Sequence, residues 1–160
     1  MPTTVSRELL HSIRALLTQA GVDFEELEHE TVRTAAEAAT ARGSALAEGA
    51  KSLLFKAGDR FGIYVMSADR SMHSLQVRRH LGVRRTRFAD PEELERLVGA
   101  PPGAVPPFGR PVVDLPLYAD PSVLVPERIA FTAGVREISM RLRGDDWRRV
   151  ASPEIFSFSR

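Results

Sequence analysis

The stretch Ala50-Lys51-Ser52-Leu53-Leu54-Phe55-Lys56-Ala57-Gly58-Asp59-Arg60-Phe61-Gly62-Ile63-Tyr64-Val65-Met66-Ser67 decides the fold class. Two runs of about strand length, Ala50–Ala57 and Phe61–Ser67, flank Gly58-Asp59-Arg60, and that spacing reads as a β-hairpin. A hairpin is antiparallel, so any strictly parallel α/β scheme is already broken. Period-2 alternation puts Lys51 on the same face as Leu53 and Phe55. A lysine on an apolar strand face either points from the strand's end into a cleft or snorkels past the sheet edge. Lys56 falls on the opposite face and reads as solvated.

Helical patterns lie around the hairpin. Leu9, Leu10, Ile13, Leu16 and Leu17 form the apolar stripe of a helix over Val5–Ala20, with Gly21 placed to end it. A short strand, Phe24–His29, follows. Thr34 and Glu37 have capping-box spacing at the start of an alanine-rich helix ending near Gly43. Beyond the hairpin, the pattern predicts a helix over Leu75–Leu81 and a strand over Arg84–Phe88. Pro91–Val98 reads as a helix with proline at its first position. Strands are expected at Val112–Tyr118, Ser122–Val125, Arg128–Thr132 and Glu137–Leu142, then a last helix over Asp145–Val150. With no repeat and no long linker, residues 1–160 read as one α/β domain with mixed strand pairing.

Composition narrows the chemistry. The chain has 160 residues, 43% of them hydrophobic and 27% charged, as in ordinary soluble globular proteins. It has no cysteine, which removes disulfides, thiolate metal sites and cysteine nucleophiles. His11, His29, His73 and His80 lack ligand spacing, so no metal or other cofactor is expected. There is no apolar signal core or membrane-length run, so a cytoplasmic location without membrane contact is expected. Phosphate-loop, nucleophile-elbow and H-E-x-x-H motifs are absent. The net charge of +1 gives no general field for polyanions, so any RNA contact must be local, and DNA is not an expected partner. The densest basic cluster is Arg78-Arg79-His80 with Arg84-Arg85 and Arg87, either a solvated helix–strand junction or a patch for tRNA backbone.

Two features stand out against that background. Of 22 basic residues only Lys51 and Lys56 are lysines, which hints that a compact, rotatable ammonium is wanted at Lys51. The second is Gly99-Ala100-Pro101-Pro102-Gly103-Ala104-Val105-Pro106-Pro107-Phe108-Gly109, which can form neither a helix nor a central strand. It is a stiff loop, either an ordinary rigid turn or a surface shaped for close approach of another molecule to backbone. Ala104, Val105 and Phe108 are too apolar for a solvated linker. His29, after the first strand, either lines a cleft mouth or is structural. Thr132 and Ser139, if they face a cleft, supply hydroxyls. Glu137 is the one carboxylate near the Phe131-Thr132-Ala133-Gly134 turn, and Glu137, His29 and Ser139 are the candidates for a protein-borne base. Asp145 and Asp146 suit a helix N-terminus.

Ala50-Lys51-Ser52-Leu53-Leu54-Phe55 and Gly103-x-x-x-Pro107, in this order, resemble segments of the YbaK/ProX family, relatives of the editing domain inserted in bacterial prolyl-tRNA synthetases. Thr34-Ala35-Ala36-Glu37-Ala38-Ala39 after His29, Arg87–Leu94, Val113–Asp120 and Phe131-Thr132-Ala133-Gly134 extend the resemblance over nearly the whole chain. It implies a curved, partly barrel-like mixed sheet flanked by helices. It also implies hydrolysis of mischarged aminoacyl-tRNA, a small residue such as alanine or serine on tRNA(Pro), without metal. The partners implied are the aminoacylated 3′ end of tRNA and a tRNA synthetase. By resemblance, Lys51 holds the phosphate of the terminal adenosine, and the loop from Gly103 to Pro107 positions the ester. Water attack is assisted by the substrate's own ribose hydroxyl. Pro107 and Gly134 are carried over with Lys51 and Gly103, and Thr34, Ala104, Val105 and Gly134 are expected substrate contacts, joining His29, Thr132 and Ser139. Ser139 stands where cysteine-specific members carry an acidic residue, which argues against a cysteinyl-tRNA preference. The rival reading is a non-catalytic tRNA- or synthetase-binding module of the same fold.

Overall fold

The computed structural model describes residues 3–160. Thr3 caps the first helix, α1 (Thr4–Gln19), by accepting from the Ser6 amide. The expected apolar stripe is its buried face: Leu9, Leu10, Ile13 and Leu17 enter the main core. Strand β1 (Phe24–Glu28) leads to α2 (Ala35–Arg42), whose N-cap Thr34 accepts from the Glu37 amide. Gly43 closes α2 in the left-handed region at φ 66°. A single 3-10 turn, Leu46–Glu48, precedes the hairpin of β2 (Ala50–Ala57) and β3 (Arg60–Ser67). Their register pairs Ala57 with Arg60, so the connection is the two residues Gly58-Asp59, one shorter at the β3 end than expected.

After the hairpin come α3 (Ser74–Leu81), β4 (Thr86–Phe88) and α4 (Pro91–Leu97), the last opened by a full capping box between Asp90 and Glu93. The remaining elements are β5 (Leu117–Ala119), β6 (Arg128–Thr132), β7 (Ile138–Arg143), α5 (Gly144–Ala151) and β8 (Glu154–Ile155). Two expected strands are corrected. Of Val112–Tyr118 only the end pairs, because the backbone before it is spent on local turns: the Val112 and Val113 amides donate to Gly109 O and the Leu115 amide to Val113 O. Ser122–Val125 lies mostly in a 3-10 helix, Pro121–Leu124, since Asp120 caps it and Pro121 sits in its first turn.

The strands make two sheets, β1-β7-β6 and β4-β2-β3-β5-β8. The first is antiparallel throughout. The second adds β5 parallel to β3, and β8 parallel to β5, onto the antiparallel hairpin. Pairing is therefore mixed, but the sheets do not close into a barrel. Among the described residues they touch through one isolated parallel bridge, Gly49 to Ala130, at the mouth of β2. The two faces of β2 serve different cores. Ala50 and Leu54 join the main cluster with Ile129, Phe131 and Trp147, whereas Phe55 and Ala57 pack with Tyr64, Met66, Val77 and Phe158. No helix among the described residues is long and apolar enough to cross a membrane.

Candidate active site

Where the two sheets meet, the start of β2, helix α2, the end of β6 and the Gly/Pro loop enclose a cleft of about 190 Å³. Its lining includes Lys51, Thr34, Gly103, Val105 and Thr132, five of the residues expected to act together. Lys51 is half-buried and its ammonium donates to the carbonyl of Arg70. Loss of hydration pulls its pKa below the usual lysine value, while Asp69 pulls the other way. The cost of that dehydration is borne by the folded protein.

The Gly/Pro loop begins with a turn of known type. The Ala104 amide donates to Pro101 O at 3.0 Å, and Gly103, third in the turn, has φ +85°. Proline second and glycine third define a type II turn. A Cβ on Gly103 would stand 3.2 Å from the carbonyl oxygen of Arg33, beside the cleft.

The other candidates lie elsewhere. Ala104 is fully buried and its carbonyl accepts from Gly134 N. Gly134, at φ +86°, packs against α1, where a Cβ would meet Leu9 Cβ at 3.1 Å. The Pro107 carbonyl accepts from the indole Nε1 of Trp147 at 2.8 Å, inside the core. These three hold the loop in place, and none of them lines the cleft. Glu137 accepts from Thr31 Oγ1 and lines a separate cavity, with Arg136 and Pro102, that does not include Lys51.

His29 and Ser139 reach the cleft through a residue that sequence reasoning passed over. Ser139 Oγ lies 2.7 Å from His29 Nε2 and 2.9 Å from Arg42 Nε, and Arg42 Nη2 donates to Thr132 Oγ1 at 3.1 Å. His29 Nδ1 sits 2.8 Å from the Glu30 carbonyl, which can only accept. The proton is therefore on Nδ1, and in the neutral ring Nε2 accepts from the Ser139 hydroxyl, freeing its lone pairs for Arg42. Arg42 lines the cleft, and burial pushes its pKa down to about 10, with Arg141 adding repulsion and Glu48 opposing. Read in the sequence, Arg42 was only a basic residue in a helix's last turn, where cations are common. The signal is tertiary, because Ser139 is 97 residues away.

The basic cluster divides. Arg78, Arg84, Arg85 and Arg87 line an open groove of about 680 Å³ with Lys56. Arg87 is engaged there by Glu93, at 2.7 and 2.8 Å. His80 turns away to Glu154 and stacks on Phe156. Lys56 lies 5.4 Å from the Phe61 ring centroid rather than free in solvent. Among the described residues no three His, Asp or Glu side chains gather as a metal site would need.

This architecture, with a lysine and a glycine turn lining one cleft, has counterparts among proteins of known class. Residues 29–150 match the family model of the aminoacyl-tRNA editing domain, and the chain belongs to that family. It is an aminoacyl-tRNA deacylase of the YbaK/ProX type. It is 36% identical over 152 residues to the multifunctional Ser/Thr-tRNA deacylase ProXp-y of Escherichia coli, covering 91% of this chain and 90% of that one. A proline–tRNA ligase of Moorella thermoacetica is 36% identical over 70 residues, 44% of this chain and 12% of the ligase. A solved structure described as a candidate trans-editing enzyme for prolyl tRNA synthetase superposes with a TM-score of 0.80 at 24% identity, over 100% of this chain and 99% of that one.

Proposed function

We propose that this chain, as a single editing domain, hydrolyses the ester of a small amino acid, serine or alanine first, wrongly attached to tRNA. The observation that carries this reading is the meeting of Lys51, Gly103 and Thr132 in one cleft of about 190 Å³, whose walls include the small side chains of Ala35, Ala38 and Ala50. The E. coli relative, by its name, acts on Ser- and Thr-tRNA, which supports serine. The likeness to part of a proline–tRNA ligase supports tRNA(Pro) as carrier and a synthetase as partner, in the cytoplasm.

In this reading Lys51 releases the Arg70 carbonyl and takes the phosphate of the terminal adenosine, a charge-assisted contact. The Gly103 turn presents backbone to the ester, and Val105 and Thr34 bound the aminoacyl group. Water attacks the ester carbon, the carbon–oxygen bond to the ribose breaks, and the ribose oxygen leaves as a hydroxyl after taking a proton. An aminoacyl ester is already activated, so positioning supplies much of the rate and no protein nucleophile or metal is needed. The neighbouring ribose hydroxyl orients the water.

The test is a deacylation panel: tRNA(Pro) charged with serine, alanine, threonine, 2-aminobutyrate or proline, incubated with wild-type protein. Release of the small non-cognate residues with prolyl-tRNA(Pro) spared is expected. Failure to release any of them, or equal release of proline, overturns the reading.

A further inference from the structure

The deep end of the cleft carries a charge that neither the fold nor the phosphate contact accounts for. Among the described residues Arg42 has no carboxylate partner, although it is half-buried. A guanidinium has five N–H donors; Ser139 and Thr132 take two, which leaves three. Its Nη1 lies 3.7 Å from where a Cβ on Gly49 would stand, and Gly49 also lines the cleft. Thr132 Oγ1 accepts from Arg42, so its own proton is left to donate. This end of the cleft is therefore a wall of donors in need of an acceptor, and the wall is rigid. Ser139 and Thr132 are buried at 0% and 6% exposure, and the Ser139–His29–Glu30 chain fixes the direction of the hydroxyl that Arg42 holds.

The walls leading to it are small and apolar. Ala35, Ala38 and Arg42 stand at i, i+3 and i+7 of α2, which is one helix face, and all three line the cleft. The two alanine methyls leave room beside the guanidinium on that wall of the cleft. An aminoacyl-tRNA has one end free of the polymer, the amino-acid side chain. The phosphate must stay on the solvent side because the rest of the tRNA continues from it, which suits half-exposed Lys51. The Arg42 wall then receives the side chain, and the charge of Arg42 turns the substrate's α-ammonium away.

We propose that Arg42 is the specificity-determining residue of the cleft: its guanidinium donates to the side-chain hydroxyl of a seryl or threonyl ester and so selects these over alanyl. Ser139 and His29 are positioning residues that hold the guanidinium in place. Alanine fits beside this wall but leaves the donors dehydrated and unpaired, the situation in which polar sites discriminate far better than apolar ones. This rests on the cleft being the aminoacyl-ester site.

The experiment compares kcat/KM for seryl- and alanyl-esters of one tRNA body, using wild-type protein, Arg42→Met and Arg42→Lys. Wild-type is expected to favour the seryl ester by at least about tenfold. Arg42→Met should bring the ratio close to one, by losing seryl turnover while alanyl turnover holds or rises. Arg42→Lys should recover only part, since a shorter, point-like ammonium has three donors where the planar guanidinium has five and cannot reproduce its fork. If Arg42→Met fails to fold, Ser139→Ala keeps the charge but frees the guanidinium, and should lower the ratio. An unchanged ratio in these variants overturns the proposal, as does a wild-type ratio near one. An equal loss on both esters together with a shallower salt dependence also overturns it, because that marks a phosphate contact. In each of these cases the esterase reading stands; only absence of turnover by wild-type protein on both esters brings down the two together.

Discussion

Lys51→Met separates function from stability more sharply than any other single change. The side chain keeps most of its length and loses its charge. A hydrogen bond between an ammonium and a phosphate is worth about 1.5–3 kcal/mol, so kcat/KM on the aminoacyl-tRNA should fall about 10- to 150-fold. Stability should move the opposite way or not at all. The Lys51 ammonium is desolvated in the folded state, and that lowers its pKa. The unfolded chain then holds the proton more tightly, so wild-type stability rises with pH through the window between the folded and unfolded lysine values. Methionine removes this slope, and near neutral pH it removes an unfavourable term at the expense of one contact to the Arg70 carbonyl. Single-turnover deacylation and thermal unfolding measured on the same preparations decide it, with Tm followed from pH 7 to above pH 10. A variant with nearly wild-type turnover would take Lys51 out of the reaction. A variant that loses turnover only in proportion to lost folded protein would make the lysine structural and refute the argument.

The two glycines of the loop region should behave differently. Gly103→Ala puts a side chain at φ +85° beside the cleft and should cut turnover by more than the lost stability explains. Gly134→Ala drives a Cβ into α1 at 3.1 Å and should lower Tm while leaving turnover per folded molecule near wild-type; turnover and Tm side by side check both. Asp120, 3% exposed, accepts from the amides of Ser122, Phe158 and Ser159 and from the Ser159 hydroxyl. Burial raises its pKa, but these bonds together outweigh burial and lower it. Its stabilisation is therefore present above the ordinary aspartate pKa and lost as pH falls through the lower folded value. Asp120→Asn turns one acceptor into a donor and should cost about 2–4 kcal/mol, with a flatter acid limb in the pH–stability profile. Replacing the terminal ribose hydroxyl beside the ester by hydrogen should abolish most turnover, whereas a chelator should not; full activity on the deoxy substrate would demand a protein-borne base.

The hairpin, the cap of α2, the proline start of α4 and the stripe of α1 were legible because each is set by neighbours in sequence. The misreadings between Val112 and Val125 have a local cause too: Asp120-Pro121 is a helix-start signal that the apolar run Val123-Leu124-Val125 outweighed. The extended reading of Val112–Leu115 failed because turn bonds back to Gly109 compete with pairing, and residue type alone does not rank them. In the site, Lys51 was legible from its face on the strand and Gly103 from the company of prolines. Arg42 was not, since a basic residue before a helix-ending glycine has an adequate explanation on its own. Pro107 and Gly134 carried the family pattern yet support the loop from behind, a distinction that only packing reveals.

Trp147 is the only tryptophan in the chain, fully buried, and its indole N–H is bonded to the Pro107 carbonyl of the Gly/Pro loop. The molecule thus contains a single indole fluorophore, excitable apart from its two tyrosines, wired to the strip of backbone that carries Gly103. Any displacement of that strip changes the polarity at the indole nitrogen and so the colour and yield of its emission. Titration with uncharged tRNA can therefore be followed optically without a label, and the same signal distinguishes a loop that stays rigid from one that adjusts as the acceptor end enters.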